Sequence, residues 1–337
     1  MNEEMQKKFD SISGMIGKTP LLEIKLNYKG RPRTVFAKAE YLNLSGSIKD
    51  RVAFHIMKKA YENGSISPDD IIVEATSGNT GISFSAIGGN LGHKVVIYMP
   101  DWMSRERINL MKSFGAEVRL VSHEEGGFLG SIAMTEKLAE KGGVFLPKQF
   151  SNEDNTEAHY LTTGEEIAVQ LARLGRKADG VVAGVGTGGT VMGIGRRLRA
   201  DNPECGLFPL EPLNSPTLST GYKVGNHRIQ GISDEFIPDI MKMDEVTSVV
   251  SVDDIDSIIM SRMISAKFGI GVGISSGANL LGALMAQDRI GEDSTVVTVF
   301  ADDNKKYLST DYSDDHQIKE GYLTADIELI SVEAHRY

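Results

Sequence analysis

One cysteine, Cys205, stands alone in a chain of 337 residues, so an intramolecular disulfide is excluded and a cysteine-based zinc site lacks its ligands. That usage suits a reducing cytoplasm, and Cys205 itself reads as a small, semi-buried residue. Basic residues are outnumbered: 36 Lys and Arg against 46 Asp and Glu leave a formal net charge of −10. A face that grips nucleic acid or an anionic membrane needs the opposite balance, so neither partner is expected. No stretch reaches the roughly 18 to 20 uninterrupted apolar residues of a membrane helix. The charged N-terminal residues 1–9 lack the apolar core and small-residue cleavage site of a secretory signal. Proline-rich linkers, heptads, short repeats and low-complexity runs are missing too. No histidine and carboxylate grouping has metal-ligand spacing, so no metal is expected.

Glycine, by contrast, is plentiful, and the 36 glycines cluster in a few turns, which marks close backbone approach rather than disorder. A hydrophobic share of 41% and a charged share of 24% are ordinary for a globular chain, and the length suits one two-lobed unit. Short β-branched runs at 34–38, 71–75, 94–99, 117–121, 180–185, 206–209 and 294–300 predict strands, with helix-length stretches between them. Residues 105–114 predict a helix capped by Ser104 and stopped by Gly115. The alternation implies an α/β fold of two lobes, each a mainly parallel twisted sheet flanked by helices. A small lobe is placed at 46–150, a larger one at 1–45 with 151–312, and a tail at 313–337 that packs on the surface or on a second subunit.

Three small-residue turns carry the chemistry. Residues 181–185 read as a strand, Gly186-Thr187-Gly188-Gly189-Thr190 as a turn and 191–198 as a helix, an arrangement whose free amides suit a phosphate. The lysine of a nucleotide P-loop is missing and the dinucleotide fingerprint is matched only loosely, so a small phosphorylated cofactor fits better than ATP or NAD. Thr76-Ser77-Gly78-Asn79-Thr80-Gly81 follows the 71–75 strand and offers hydroxyls and amides to a carboxylate, although helix capping by Thr76 or Ser77 explains part of it. Gly273-Ile274-Ser275-Ser276-Gly277 is the third. Ligands of open parallel sheets gather at the carboxyl ends of the strands, where all three turns are expected.

With Ser47-Ile48-Lys49-Asp50-Arg51, Gln149-Phe150, His227-Arg228-Ile229-Gln230-Gly231-Ile232, an opening Ile16-Gly17-Lys18-Thr19-Pro20-Leu21 and a closing Lys306-Tyr307-Leu308-Ser309-Thr310, the motifs stand in the order of a known family. Over about residues 10–312 the chain resembles the cysteine synthase and cystathionine β-synthase family, fold type II pyridoxal-phosphate enzymes. The resemblance implies pyridoxal 5'-phosphate as cofactor, joined to Lys49, which then removes the substrate Cα proton. It implies that Gly186, Thr187, Gly188, Gly189 and Thr190 cradle the phosphate, that Asn79 meets the ring hydroxyl and that Ser275 faces the pyridine nitrogen. Thr76, Ser77, Thr80 and Gln149 would hold the substrate carboxylate, with Gly231 lining the substrate site. A hydroxyl partner leaves the ring nitrogen largely unprotonated, a milder electron sink that favours β-elimination.

The chain departs from the family after Gly231 and Ile232, where small residues are usual and Ser233-Asp234-Glu235 stands instead. A carboxylate aimed at the aminoacrylate Cβ would deprotonate water or bind the ammonium of an amino-acid thiol. Asp234 is taken as that group, Glu235 as a solvated acid and His227 as support for the loop. The implied activity is β-replacement in cysteine metabolism through an aminoacrylate. It takes O-acetylserine and sulfide to cysteine, or cysteine and water to serine and hydrogen sulfide, the reaction Asp234 encourages. The alternatives are condensation of cysteine or serine with an amino-acid thiol, as in cystathionine β-synthase, and a non-catalytic cofactor-binding scaffold. A homodimer is implied by the same resemblance.

Overall fold

The computed structural model describes residues 1–232 and 235–337. Among them the strands are β1 (Leu21–Tyr28), β2 (Arg31–Ala39), β3 (Ile71–Ala75), β4 (Val95–Pro100), β5 (Glu117–Val121), β6 (Val144–Phe145), β7 (Gly180–Gly184), β8 (Gly206–Pro212), β9 (Val250–Val252), β10 (Val296–Phe300) and β11 (Ile327–His335). The chain divides into two units, Met1–Gly17 with Asn43–Asn155 and Lys18–Leu42 with Thr156–Tyr337.

In the smaller unit the strands run in the order β5-β4-β3-β6, all parallel. Successive side chains of a strand point to opposite faces, and here both faces are apolar. Ile72, Val95, Ile97 and Met99 share one core with Val52 and Ile56 of the helix Lys49–Asn63 and Ile82 and Ile87 of the helix Asn79–Leu91. Val73, Val96, Tyr98 and Val121 meet Met134 and Leu138 of the helix Gly127–Ala139 on the other face. Cover on both faces is why β4 is apolar throughout rather than alternating. The helix Glu3–Ser13, capped by Asn2, buries Met5, Phe9 and Ile12 in the first of these cores. Residues 1–17 therefore go with the smaller unit, whereas the sequence grouped 1–45 with the larger one.

The larger unit has a seven-stranded sheet in the order β11-β1-β2-β10-β7-β8-β9. The run from β2 through β10, β7 and β8 to β9 is parallel, and β1 and β11 add antiparallel pairs at one edge. Residues 313–337 are thus no loose tail. Leu22, Ile24, Leu26 and Tyr28 of β1 point into the core with Ile327 and Leu329 of β11, and the two strands pair from Leu21↔His335 to Tyr28↔Ile327 with one register shift between Lys25 and Leu26. The helix Asp254–Phe268 is started by the Asp253 side chain, which accepts from the amides of Ile255 and Asp256, and stopped by Gly269 at φ 69°.

A buried charge secures the start of this unit. Lys38 is fully enclosed, and its Nζ donates to Thr19 O at 2.5 Å and Gln170 Oε1 at 2.8 Å and pairs with Glu166 Oε2 at 2.8 Å. Glu166 Oε1 in turn accepts from the Lys18 amide at 2.8 Å. Removing one partner of such a pair strands a charge in the interior. Lys38→Met is expected to lower unfolding stability by about 3–5 kcal/mol in urea titration, and adding Glu166→Gln should recover part of that loss. A loss below about 1 kcal/mol for the single variant, the level of an exposed pair, would contradict this role.

Candidate functional site

In the smaller unit Lys49 is the first residue of the helix Lys49–Asn63 and is half-buried. Its neighbour Asp50 is fully buried and accepts from Ser45 N at 2.7 Å, from Ser45 Oγ and from Ser83 Oγ at 2.7 Å. One carboxylate thereby ties the loop before Lys49 to the helix Asn79–Leu91. That helix begins directly after the 76–78 turn. Gly78 N donates to Thr76 Oγ1 at 3.0 Å, and the first helical bond runs from Ile82 N to Gly78 O at 3.0 Å. Amides of the first helical turn have no carbonyl of their own to meet, so they and the hydroxyls form a ready place for a carboxylate.

Gln149 is far away in sequence, yet the structure brings it to this turn. It is 3% exposed; its Oε1 accepts from Thr80 Oγ1 at 2.6 Å and its Nε2 donates to Ala75 O at 3.0 Å. Asn155 Nδ2 holds the Gln149 carbonyl at 2.9 Å. The structure therefore brings Gln149 to the turn that carries Thr76, Ser77, Asn79 and Thr80. Asp50 and Asn155, which fasten it, were not singled out: their role depends on partners several to many residues away.

In the larger unit β7 runs into the 185–188 turn, and the helix Gly189–Asp201 follows. Gly188 has φ 87°, and a Cβ there would lie 3.0 Å from Met241; a Cβ on Gly186 would meet Gly231 O at 2.5 Å. Gly186 needs glycine because a backbone carbonyl lies where a side chain would begin, and Gly188 because of its left-handed φ. Thr190 Oγ1 lies 3.3 Å from His159 Nε2, and His159 Nδ1 lies 2.9 Å from Thr163 Oγ1. The buried His159 thus orients the last hydroxyl of the turn, a role with no local signature in the sequence. Asn279 fixes the turn from another side, accepting from Gly184 N at 2.8 Å and donating to Val299 O at 2.7 Å.

Ser275 is 6% exposed in the first turn of the helix Ile274–Ile290. The third small-residue turn does not follow a named strand, as the sequence reading had it. Gly269 ends the preceding helix, and Val272 then bridges Asp303, just past the end of β10. Backbone pairing with residues after the strand replaces a strand of its own.

Gly231 lies exposed beside the phosphate-type turn. Asp234, with Ser233, lies outside the described residues. Glu235 is half-buried and pairs with Lys223 at 3.6 Å. The approach to this loop is fastened by Arg228, whose amide and guanidinium both reach the buried Asp254, at 2.9 and 3.3 Å, and whose Nε also bonds Asp311. Cys205 is 1% exposed, and burial pushes its thiol up to about 12, so it is unreactive at neutral pH. Among the described residues no helix is long and apolar enough to cross a membrane.

Comparison with known proteins agrees with these two sets of groups. A family profile for pyridoxal-phosphate dependent enzymes matches residues 12–302. A cysteine synthase of Staphylococcus aureus is 40% identical over 305 residues, 90% of this chain and 97% of that protein. The crystal structure of a hydrogen sulfide-producing enzyme from Fusobacterium nucleatum is 57% identical, covers 98% of this chain and 100% of its own, and superposes with a TM-score of 0.96. An aspartate-to-asparagine mutant of that enzyme, complexed with an α-aminoacrylate intermediate, gives the same figures. A cysteine synthase from Entamoeba histolytica is 37% identical, covers 93% of this chain and 94% of its own, and has a TM-score of 0.83. The chain belongs to the pyridoxal-phosphate dependent enzymes, in the cysteine synthase family.

The residues fit that cofactor. The side-chain-free cradle at Gly186 and Gly188 before a helix start suits its phosphate, and Lys49 supplies an amine. Gly186→Ala would force Gly231 away and is expected to weaken retention of pyridoxal phosphate at least tenfold in equilibrium dialysis, about 1.4 kcal/mol. Retention equal to the parent protein would show that the cradle is placed elsewhere.

Proposed function

We propose that the chain takes cysteine and water to serine and hydrogen sulfide, with formation of cysteine from O-acetylserine and sulfide as the competing reaction of the same site. The observation that carries this reading is the 57% identity, over 98% of the chain, to a hydrogen sulfide-producing enzyme. The acidic Ser233-Asp234-Glu235 in place of the small residues usual in cysteine synthases points the same way. Sulfide is already substantially ionised at neutral pH and needs no base; water does.

When bound, pyridoxal phosphate supplies an electron sink for the bonds at the substrate Cα. In this reading Lys49 holds the cofactor through Nζ and takes the Cα proton. Gly186, Thr187, Gly188, Gly189 and Thr190 bind the phosphate, Asn79 the ring hydroxyl and Ser275 the ring nitrogen. Thr76, Ser77, Thr80 and Gln149 bind the α-carboxylate, which aims the Cα–H bond, and Gly231 lines the substrate site. Asp234 would take a proton from the water whose oxygen adds at the substrate Cβ, and Lys49 would return a proton to Cα. Glu235 is engaged by Lys223, which supports choosing Asp234 for this task. In the Fusobacterium relative, the asparagine mutant complexed with α-aminoacrylate is the outcome expected when a base acting after sulfide departure is lost. A homodimer in the cytoplasm goes with this reading; sedimentation velocity of the holoenzyme tests the first part.

Two variants test the chemistry. Lys49→Ala should lose the visible absorbance of bound cofactor and all turnover. Asp234→Asn should still release sulfide from cysteine in the first turnover, yet form serine about 10²–10⁴-fold more slowly, the usual contribution of a general base. Unchanged serine formation by Asp234→Asn, followed by chromatography, would sink the assignment.

A further inference from the structure

The mechanism above does not use the most unusual carboxyl of the smaller unit. Glu74, on β3, is 5% exposed, and among the described residues no cation pairs with it. Its Oε1 accepts from Ala75 N at 2.9 Å, the Gln149 amide approaches the same carboxyl closely enough to favour its charged form, and Oε2 makes no directed hydrogen bond. Burial outweighs both amides and pushes Glu74 up to about 8. At pH 7 it is mostly the neutral acid, the form a desolvated carboxyl without a partner adopts.

Its position matters because of what adjoins it. Ala75 is gripped on both sides, its N–H by Glu74 and its C=O by Gln149 Nε2, while Gln149 Oε1 holds the Thr80 hydroxyl. Glu74 thus sits where the two segments that bear Thr76, Ser77, Thr80 and Gln149 are joined. We propose that Glu74 is a positioning residue for amino-acid capture: as the neutral acid it holds the two segments in register, and as the carboxylate it repels the substrate's own carboxylate from them. This deepens the proposed function and rests on its assignment of those four residues to the α-carboxylate.

The helix Lys49–Asn63 shares a core with Ile72 of β3 and carries Lys49, Asp50, Arg51, His55, Lys58, Lys59, Tyr61 and Glu62, none of which acts on the protonation of Glu74. The other elements packed around β3 offer nothing to offset the charge. The helix Asn79–Leu91 and β6 carry no titratable side chain. β4 carries Tyr98, whose hydroxyl is bonded to Arg119. The helix Gly127–Ala139 carries Glu136 and Lys137, both exposed. Burial and the two amides alone set the protonation of Glu74. A charge formed there is screened poorly by solvent, so its repulsion of a nearby anion is strong.

The test is the pH profile of KM for cysteine, measured with holoenzyme from pH 6.5 to 9.5 for the parent protein, Glu74→Gln and Glu74→Ala. Groups of the substrate titrate in the same range, and the ratio of parent to variant at each pH cancels them. A single group titrating near 8 requires that ratio to rise about tenfold between pH 7 and 9, with kcat much less affected. Glu74→Gln should keep a KM near the parent's at pH 7; Glu74→Ala, neutral but unable to bond the amides, should show a higher KM at every pH and the same rising ratio. A ratio that stays constant with either variant overturns the proposal. Thr80→Val separates this from failure of the underlying assignment: if it leaves KM unchanged at pH 7, the turn does not bind the carboxylate at all. Melting temperature gives a second readout. Between the ordinary 4.5 and about 8 the unfolded chain loses this proton first, so stability falls as pH rises through that window. Glu74→Gln should therefore gain in melting temperature relative to the parent between pH 5 and pH 8, and equal differences at both would overturn the neutral state.

Discussion

Asp50 is the constraint around which the smaller unit is organised. A carboxylate with no exposure must have its oxygens satisfied by donors in the interior, and here those donors are the amide and hydroxyl of Ser45 and the hydroxyl of Ser83. Meeting that demand brings the 43–48 loop against the helix Asn79–Leu91. Lys49, next in the chain, is thereby fixed at a helix start rather than left on a solvated face. Lys49 owes its place to its neighbour's need for hydrogen bonds.

The same economy appears in the 76–80 and 186–190 turns. In both units a parallel strand feeds a helix through small residues, so the bare amides of the helix start lie at the carboxyl edge of the sheet. What differs is the support. The 76–80 turn is held by side chains from distant sequence, Gln149 above all. The 186–190 turn is held by close backbone approach at Gly186, by Met241 against the left-handed Gly188 and by His159 behind Thr190.

Much of this was legible in the chain. Each predicted strand is present, because β-branched runs bounded by small polar residues carry their own signal. β1 was missed although Leu22, Ile24, Leu26 and Tyr28 alternate with Glu23, Lys25 and Asn27. β11 is harder to read: only Ile327 and Leu329 are buried in it, and its existence depends on pairing with β1. The short β6 and β9 depend on neighbours in the same way. The N-terminal helix went to the wrong unit because an amphipathic stripe says that a face will be buried but not against what.

The sequence by itself determined the family, the α/β class, the cofactor and the order of the chemical motifs, because glycine turns and a lysine in fixed context are local features. Tertiary structure alone decided which residues support them. Asn155 on Gln149, His159 on Thr190, Asp254 on Arg228 and the Glu166 carboxylate on Lys38 are hydrogen-bond choices among groups remote in sequence. Tertiary structure also decided that Glu74 is buried without a counter-charge. A side chain's protonation follows from its desolvation, and desolvation is a property of the folded interior, not of the residue.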